Sequence, residues 1–293
     1  MRQSIYYIAL LTTTLLFVAC GERVYAPQND IIVTIQPLKY LVEQITGDDF
    51  KVDVLVPASA SPETFEPTPK QFIALNEAAM VFSTGLIDFE VSLTERMRNN
   101  ENLINLSRGI ELMEGSCSHN HHTHHSHEGH NGHHHGIDPH IWTSPRELKT
   151  MAQNAYEAII AEYPDSTKYT EAYNDLIHRL NELDLQCATM CQASSARAFV
   201  IYHPALTYFA RAYGMEQIAI ESDGKEPSAK HIAKIIDQAK AKGVKCLLYQ
   251  SQYPRSVVEI IAKDMGVECR EINPLEENVI ANISSITHTI TAQ

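Results

Sequence analysis

The chain has 293 residues, 44% of them hydrophobic, a formal net charge of −13, 15 histidines and six cysteines. That length accommodates two domains of ordinary size. The acidic balance argues against a nucleic-acid partner, and the cysteines fall in no zinc-finger spacing.

Residues 1–20 open with Arg2 and run through an apolar stretch, Tyr6 to Ala19, into Cys20. This stretch is too short for a confident membrane span and has the positive start and apolar centre of a signal peptide. Its end, Phe17-Val18-Ala19-Cys20-Gly21, resembles a bacterial lipobox, in which the cysteine becomes the lipidated first residue of the mature chain. A lipid there would tether the rest to a membrane face without spanning the membrane.

Beyond a polar linker, short apolar runs alternate with helical patterns. Strands are predicted at 31–35, 52–56, 80–83 and 103–106, and helices at 38–46, 69–78 and 89–98, the second with proline in its first turn. Residues 117–136 then form a polar run in which ten histidines, His119 to His135, alternate with Ser, Asn, Thr, Gly and Glu. Such a composition buries no core; it reads as a loose multi-site binder of zinc, copper or nickel, or as a plain low-complexity insertion. His140 differs from those ten, since it sits between Asp138-Pro139 and the apolar pair Ile141-Trp142.

Two long helical stretches follow, 145–163 and 166–191. The second has no proline or glycine and carries Tyr169, Tyr173, Leu176, Leu180, Leu183 and Cys187 at helical spacing. Strands are then predicted at 198–202, 217–220, 246–249 and 267–272, and helices at 205–213, 228–242, 255–265 and 275–289. Alternation of this kind implies parallel sheets with flanking helices. The fold class is therefore α/β: two lobes, each with a roughly four-stranded parallel sheet, joined by one long rigid helix. The division is a signal peptide at 1–20, an N-terminal lobe at 27–163, a linking helix at 164–192 and a C-terminal lobe at 193–293. Cys187 and Cys191, four apart on one helix, have poor disulfide geometry. Cys246 and Cys269 suit either free thiols or a bridge.

In open α/β sheets, ligands bind beyond the carboxyl ends of strands. Three proline-stiffened loops there each offer one ligand-type side chain: Glu63, His140 and His203. Singly, each is as well explained by a capped helix, a structural hydrogen bond or a solvated carboxylate. Together, two imidazoles and a carboxylate describe a metal site and favour zinc over manganese, which prefers more oxygen.

Five segments, in order, resemble the metal-binding solute receptors of zinc and manganese ABC importers. They are Ser61-Pro62-Glu63-Thr64-Phe65-Glu66-Pro67-Thr68, Asp138-Pro139-His140-Ile141-Trp142, His203-Pro204-Ala205, Glu226-Pro227-Ser228 and Asn273-Pro274-Leu275. Within that family the chain is most similar to the zinc-uptake receptors, which commonly carry a histidine-rich loop at this place. The resemblance implies a monomeric, exported receptor, not an enzyme, that holds zinc (alternatively manganese) between two lobes and passes it to a membrane permease. It assigns the metal to His140, His203 and Glu63, the last standing where most members have histidine. Asn273 stands where many have a ligating aspartate, so the fourth ligand is Asn273, water or another acid. Glu66 and Glu226 are candidates for orienting an imidazole. Outside this class, a zinc hydrolase would use the same ligand set, although HExxH and a nucleophile elbow are absent; a surface lipoprotein with a structural zinc is the third reading.

Overall fold

The computed structural model describes residues 31–97, 101–115, 136–164, 167–221, 227–253 and 255–292. Cys20, the histidine run 117–135 and Glu226 lie outside them. Two four-stranded sheets form, all their strand pairs parallel. The first has the order β2-β1-β3-β4, from Ile31–Val33 (β1), Val52–Val54 (β2), Met80–Ser83 (β3) and Leu103–Asn105 (β4). The second repeats this order as β6-β5-β7-β8, from Ala198–Ile201 (β5), Glu216–Ala219 (β6), Cys246–Tyr249 (β7) and Glu268–Glu271 (β8).

Helices α1 (Gln36–Thr46), α2 (Pro69–Glu77) and α3 (Asp88–Arg96) accompany the first sheet. Helices α4 (Pro145–Glu162) and α5 (Thr167–Ala193) lead to the second, which carries α6 (Thr207–Tyr213), α7 (Ala229–Ala241), α8 (Arg255–Met265) and α9 (Val279–Thr291). None of the helices among the described residues is long and apolar enough to cross a membrane.

Local chemistry explains most boundaries. Thr68 accepts from the Gln71 amide while the Gln71 side chain accepts from the Thr68 amide, so a reciprocal capping box starts α2 with Pro69 in its first turn. Ser144 caps α4 ahead of Pro145, its side chain accepting from Arg146 N. The last helix begins at Val279, four residues later than the hydrophobic pattern predicts. Asn273 and Asn282 hold the preceding loop in shape, through Leu275 N to Asn273 Oδ1 (3.1 Å) and Asn282 Nδ2 to Asn273 O (2.9 Å), and Asn278 caps the helix by accepting from Ala281 N.

The 27-residue α5 spans about 40 Å at 1.5 Å per residue. Its buried stripe, Tyr169, Leu176, Leu180, Leu183, Cys187 and Cys191, recurs at spacings of three, four and seven and belongs to one core with Ile31 and Phe82 of the first sheet. The same core takes in Phe199, Ile201, Cys246 and Leu248 from one face of the second sheet. The opposite face of that sheet, Ala198, Val200, Leu247 and Tyr249, packs separately against α7 and α8. The spine therefore welds the lobes through shared apolar packing. Leu180→Ala, at a fully buried position, should cost about 2–5 kcal/mol by combined transfer and cavity terms, read by urea denaturation of the metal-free chain.

Strand register answers the cysteine question. Leu247 pairs with Cys269 and Cys246 with Glu268, so side-chain alternation sends Cys246 and Cys269 to opposite faces of the sheet. Both are free thiols, as are Cys187 and Cys191.

Candidate metal centre

Glu63, His140 and His203 converge. One ligand atom from each lies within 4.8 Å of the others, although the residues come from three loops far apart in the chain.

Glu63 sits in the 3-10 turn Pro62–Thr64, between the end of β2 and the capped start of α2. Pro62, Pro67 and Pro69 limit the backbone freedom of this loop, and Phe65 anchors it edge-on against Phe89 with ring centroids 5.3 Å apart. His140 follows a bridge between Glu114 and Ile137 that closes the base of the histidine run. Asp138 is buried there, and one of its oxygens accepts from both the backbone N and Nδ1 of His140 at 2.8 Å. His203 ends the segment that continues β5. Glu221, which continues the neighbouring β6, donates its backbone N to Tyr202 O, and its carboxylate takes His203 Nδ1 at 2.8 Å.

Each imidazole is thus held at Nδ1 by a buried carboxylate and turns Nε2 towards the same point. The two Nε2 atoms are 3.4 Å apart, and Glu63 Oε1 lies 2.7 Å from that of His203 and 3.9 Å from that of His140. Carboxylate–histidine–metal relays have this form, the outer acid fixing ring orientation and raising ligand basicity. Asp138 and Glu221, not Glu66, supply the outer acids; Glu66 is exposed. Asp138 was legible as the residue two before His140. Glu221 was legible only by searching the carboxyl end of the sixth strand, beside the strand that presents His203.

Burial opposes charge on His203, but hydrogen bonds to Glu221 and Glu63 and their charges outweigh it and leave the ring with a pKa of about 9. Burial likewise raises Glu63, and the bond and charge of His203 overcome it, so the carboxyl titrates below its ordinary range. In Asp138 burial is outweighed by His140, and the acid is again held ionised. In the metal-free chain, therefore, a proton on His203 occupies the space between the imidazole and Glu63.

The centre lies in a cavity of about 40 Å³ whose walls come from both lobes, including Ile87, Trp142, Gln250 and Pro274. Trp142 Nε1 donates to Pro274 O at 2.9 Å across the cleft. Tyr208 of α6 donates to Asp138 O at 2.8 Å and accepts from Met113 N at 3.1 Å. The Asn273 side chain is committed elsewhere, to Leu275 N and Glu276 Oε2, although the residue lines the cavity.

Residues 31–292 match the family model described as ZnuA, zinc-uptake complex component A, periplasmic. The chain belongs to the ZnuA family. It is 32% identical over 275 residues to the high-affinity zinc uptake system protein ZnuA of Bacillus subtilis, covering 89% of this chain and 85% of that one. It is 28% identical to the zinc-binding lipoprotein AdcA of Streptococcus pneumoniae over 89% of its own length, and spans about half of that longer protein, 53%. A crystal structure of ZnuA superposes with a TM-score of 0.78 at 31% identity, covering 89% of this chain and 97% of the other.

Proposed function

We propose that this ZnuA-family chain is an extracytoplasmic receptor that binds one zinc ion through Glu63, His140 and His203 and hands it to the permease of an ABC importer. The observation that carries this reading is the convergence of two carboxylate-braced Nε2 atoms and one carboxylate oxygen on a point between the lobes. Two imidazoles and one carboxylate are a zinc-type donor set, and manganese is better served by more oxygen.

The cavity size weighs against hydrolysis. One water needs at least ~10–15 Å³ of such space, so about 40 Å³ takes a metal ion with one or two waters and leaves no room for an organic substrate. The continuous apolar core through α5 weighs against a structural zinc, because it holds both lobes without help from the site.

The mature chain is a lipid-anchored monomer, tethered through Cys20. The lipobox-like end of its first segment supports the anchor, and a relative carries the name of zinc-binding lipoprotein. The domain division is a first lobe at 27–163, the linking helix at 164–192 and a second lobe at 193–293. The histidine run 117–135 gathers zinc loosely, since dense solvated imidazoles bind at many weak sites.

The test is native mass spectrometry, with competition by a zinc chelator, on the chain from residue 22 with and without residues 118–135. Deletion should reduce the total zinc bound and leave one tight ion per chain. A loopless chain without a tight ion would place binding in the histidine run and overturn the receptor reading.

A further inference from the structure

Gln250 follows β7 and is 2% exposed. Its Nε2 donates to His203 O at 3.0 Å. A carbonyl can only accept, so the amide nitrogen must face it, and this settles which end of the side chain is Oε1. That oxygen is buried and has no hydrogen-bond partner among the described residues, yet Gln250 lines the same cavity as Glu63, His140 and His203. Buried polar atoms are normally paired, and one without a donor calls for an explanation. The other amides at the cavity do not share this position: Gln252 is exposed, and Asn273 Oδ1 is already bonded to Leu275 N.

Three protein ligands leave one position of a tetrahedral zinc open. Gln250 Oε1 makes no hydrogen bond to any of the three ligand side chains. Resting on the function proposed above, we propose that the fourth ligand is a water molecule and that Gln250 is the residue that positions it, Oε1 accepting one of the water's protons.

The cavity has room for that water beside the metal. A metal-bound water is a strong donor, because the cation withdraws charge from its O–H bonds. A neutral amide suits the acceptor role here. Glu63, Asp138 and Glu221 already place three carboxylates around the centre, and a fourth negative charge would hold a divalent ion more firmly than a chain that must release it requires. The water therefore completes the coordination shell, and Gln250 holds it there without adding charge.

The experiment uses the full chain, with chelator competition to read its tightest zinc, and compares wild type with Gln250→Leu and Gln250→Glu. Failure of wild type to hold one tight ion would defeat the receptor reading; the variants test Gln250 alone. Gln250→Leu should bind zinc about 10–100-fold more weakly, as expected when a partner behind the ligands is lost. Gln250→Glu keeps an acceptor but loses the donor to His203 O, and should bind at least as tightly as wild type. Equal losses in the two variants would mean that the residue serves only to hold the His203 backbone, and would overturn the proposal. With one equivalent of cobalt(II) in place of zinc, the wild-type electron paramagnetic resonance signal should broaden in ¹⁷O-enriched water. No broadening would mean no bound water and would equally overturn it.

Discussion

His203→Ala is expected to lower zinc affinity by two to three orders of magnitude, and His140→Ala by a similar factor. Spreading the roughly 10–16 kcal/mol of a four-ligand zinc site over its ligands gives about 2.5–4 kcal/mol each, or about 10²–10³-fold. Loss of His203 has a further consequence, since it leaves Glu221 and Glu63 facing a gap without the ring that separates them. Glu63→Ala should cost less, about 10–100-fold, because its side chain is 38% exposed and water can replace a carboxylate oxygen more readily than an imidazole braced from behind. Isothermal titration with a competing chelator reads all three. Zinc affinity unchanged in Glu63→Ala would remove that residue from the ligand set, and unchanged affinity in either histidine variant would remove the site.

Zinc affinity is expected to rise about tenfold per pH unit from roughly pH 6.5 to about 9 and to level off above that. The unperturbed histidine value alone would place proton competition only below ~6.5. In the fold, the two carboxylates on His203 outweigh its burial and raise its pKa to about 9, so zinc must displace a proton throughout that window. The sign for stability is opposite in the two states. A raised folded pKa stabilises the metal-free chain fully below the unfolded histidine value, and this contribution disappears as pH rises through about 9. Stabilisation by zinc grows over the same interval. The gap in melting temperature between loaded and empty chains should therefore widen from pH 6 to pH 9. Glu221→Gln should narrow that widening, because removing the carboxylate whose hydrogen bond is the largest influence raising His203 lets the ring deprotonate nearer its ordinary value. A pH-independent affinity across the window would show that His203 carries no proton in the empty site.

Much of the architecture was legible before any coordinates. The stripe from Tyr169 to Cys191 announces a long helix because each buried residue follows the last by one or two turns, and the alternation of short apolar runs with helical patterns announces parallel sheets. Ends were harder to read. The apolar residues Leu275 and Val279 both suit a helix, and the helix starts only at Val279 because Asn273 and Asn278 use their side chains on nearby backbone. The missed start is a competition between local hydrogen bonds that periodicity does not register.

The sequence by itself determined the elements, the order of the two sheets' strands along the chain, and the three proline-stiffened loops carrying Glu63, His140 and His203, because each depends on residues close to one another in the chain. Only the tertiary structure decided that these loops meet within 4.8 Å, that Asp138 and Glu221 are the acids behind the imidazoles, that Cys246 and Cys269 point to opposite faces, and that the Gln250 oxygen is left without a partner beside the centre. Each of these is set by the register and packing of strands joined through α5, where a residue's neighbours come from segments far apart in the chain, and no local pattern in the chain specifies which carboxylate will face which ring.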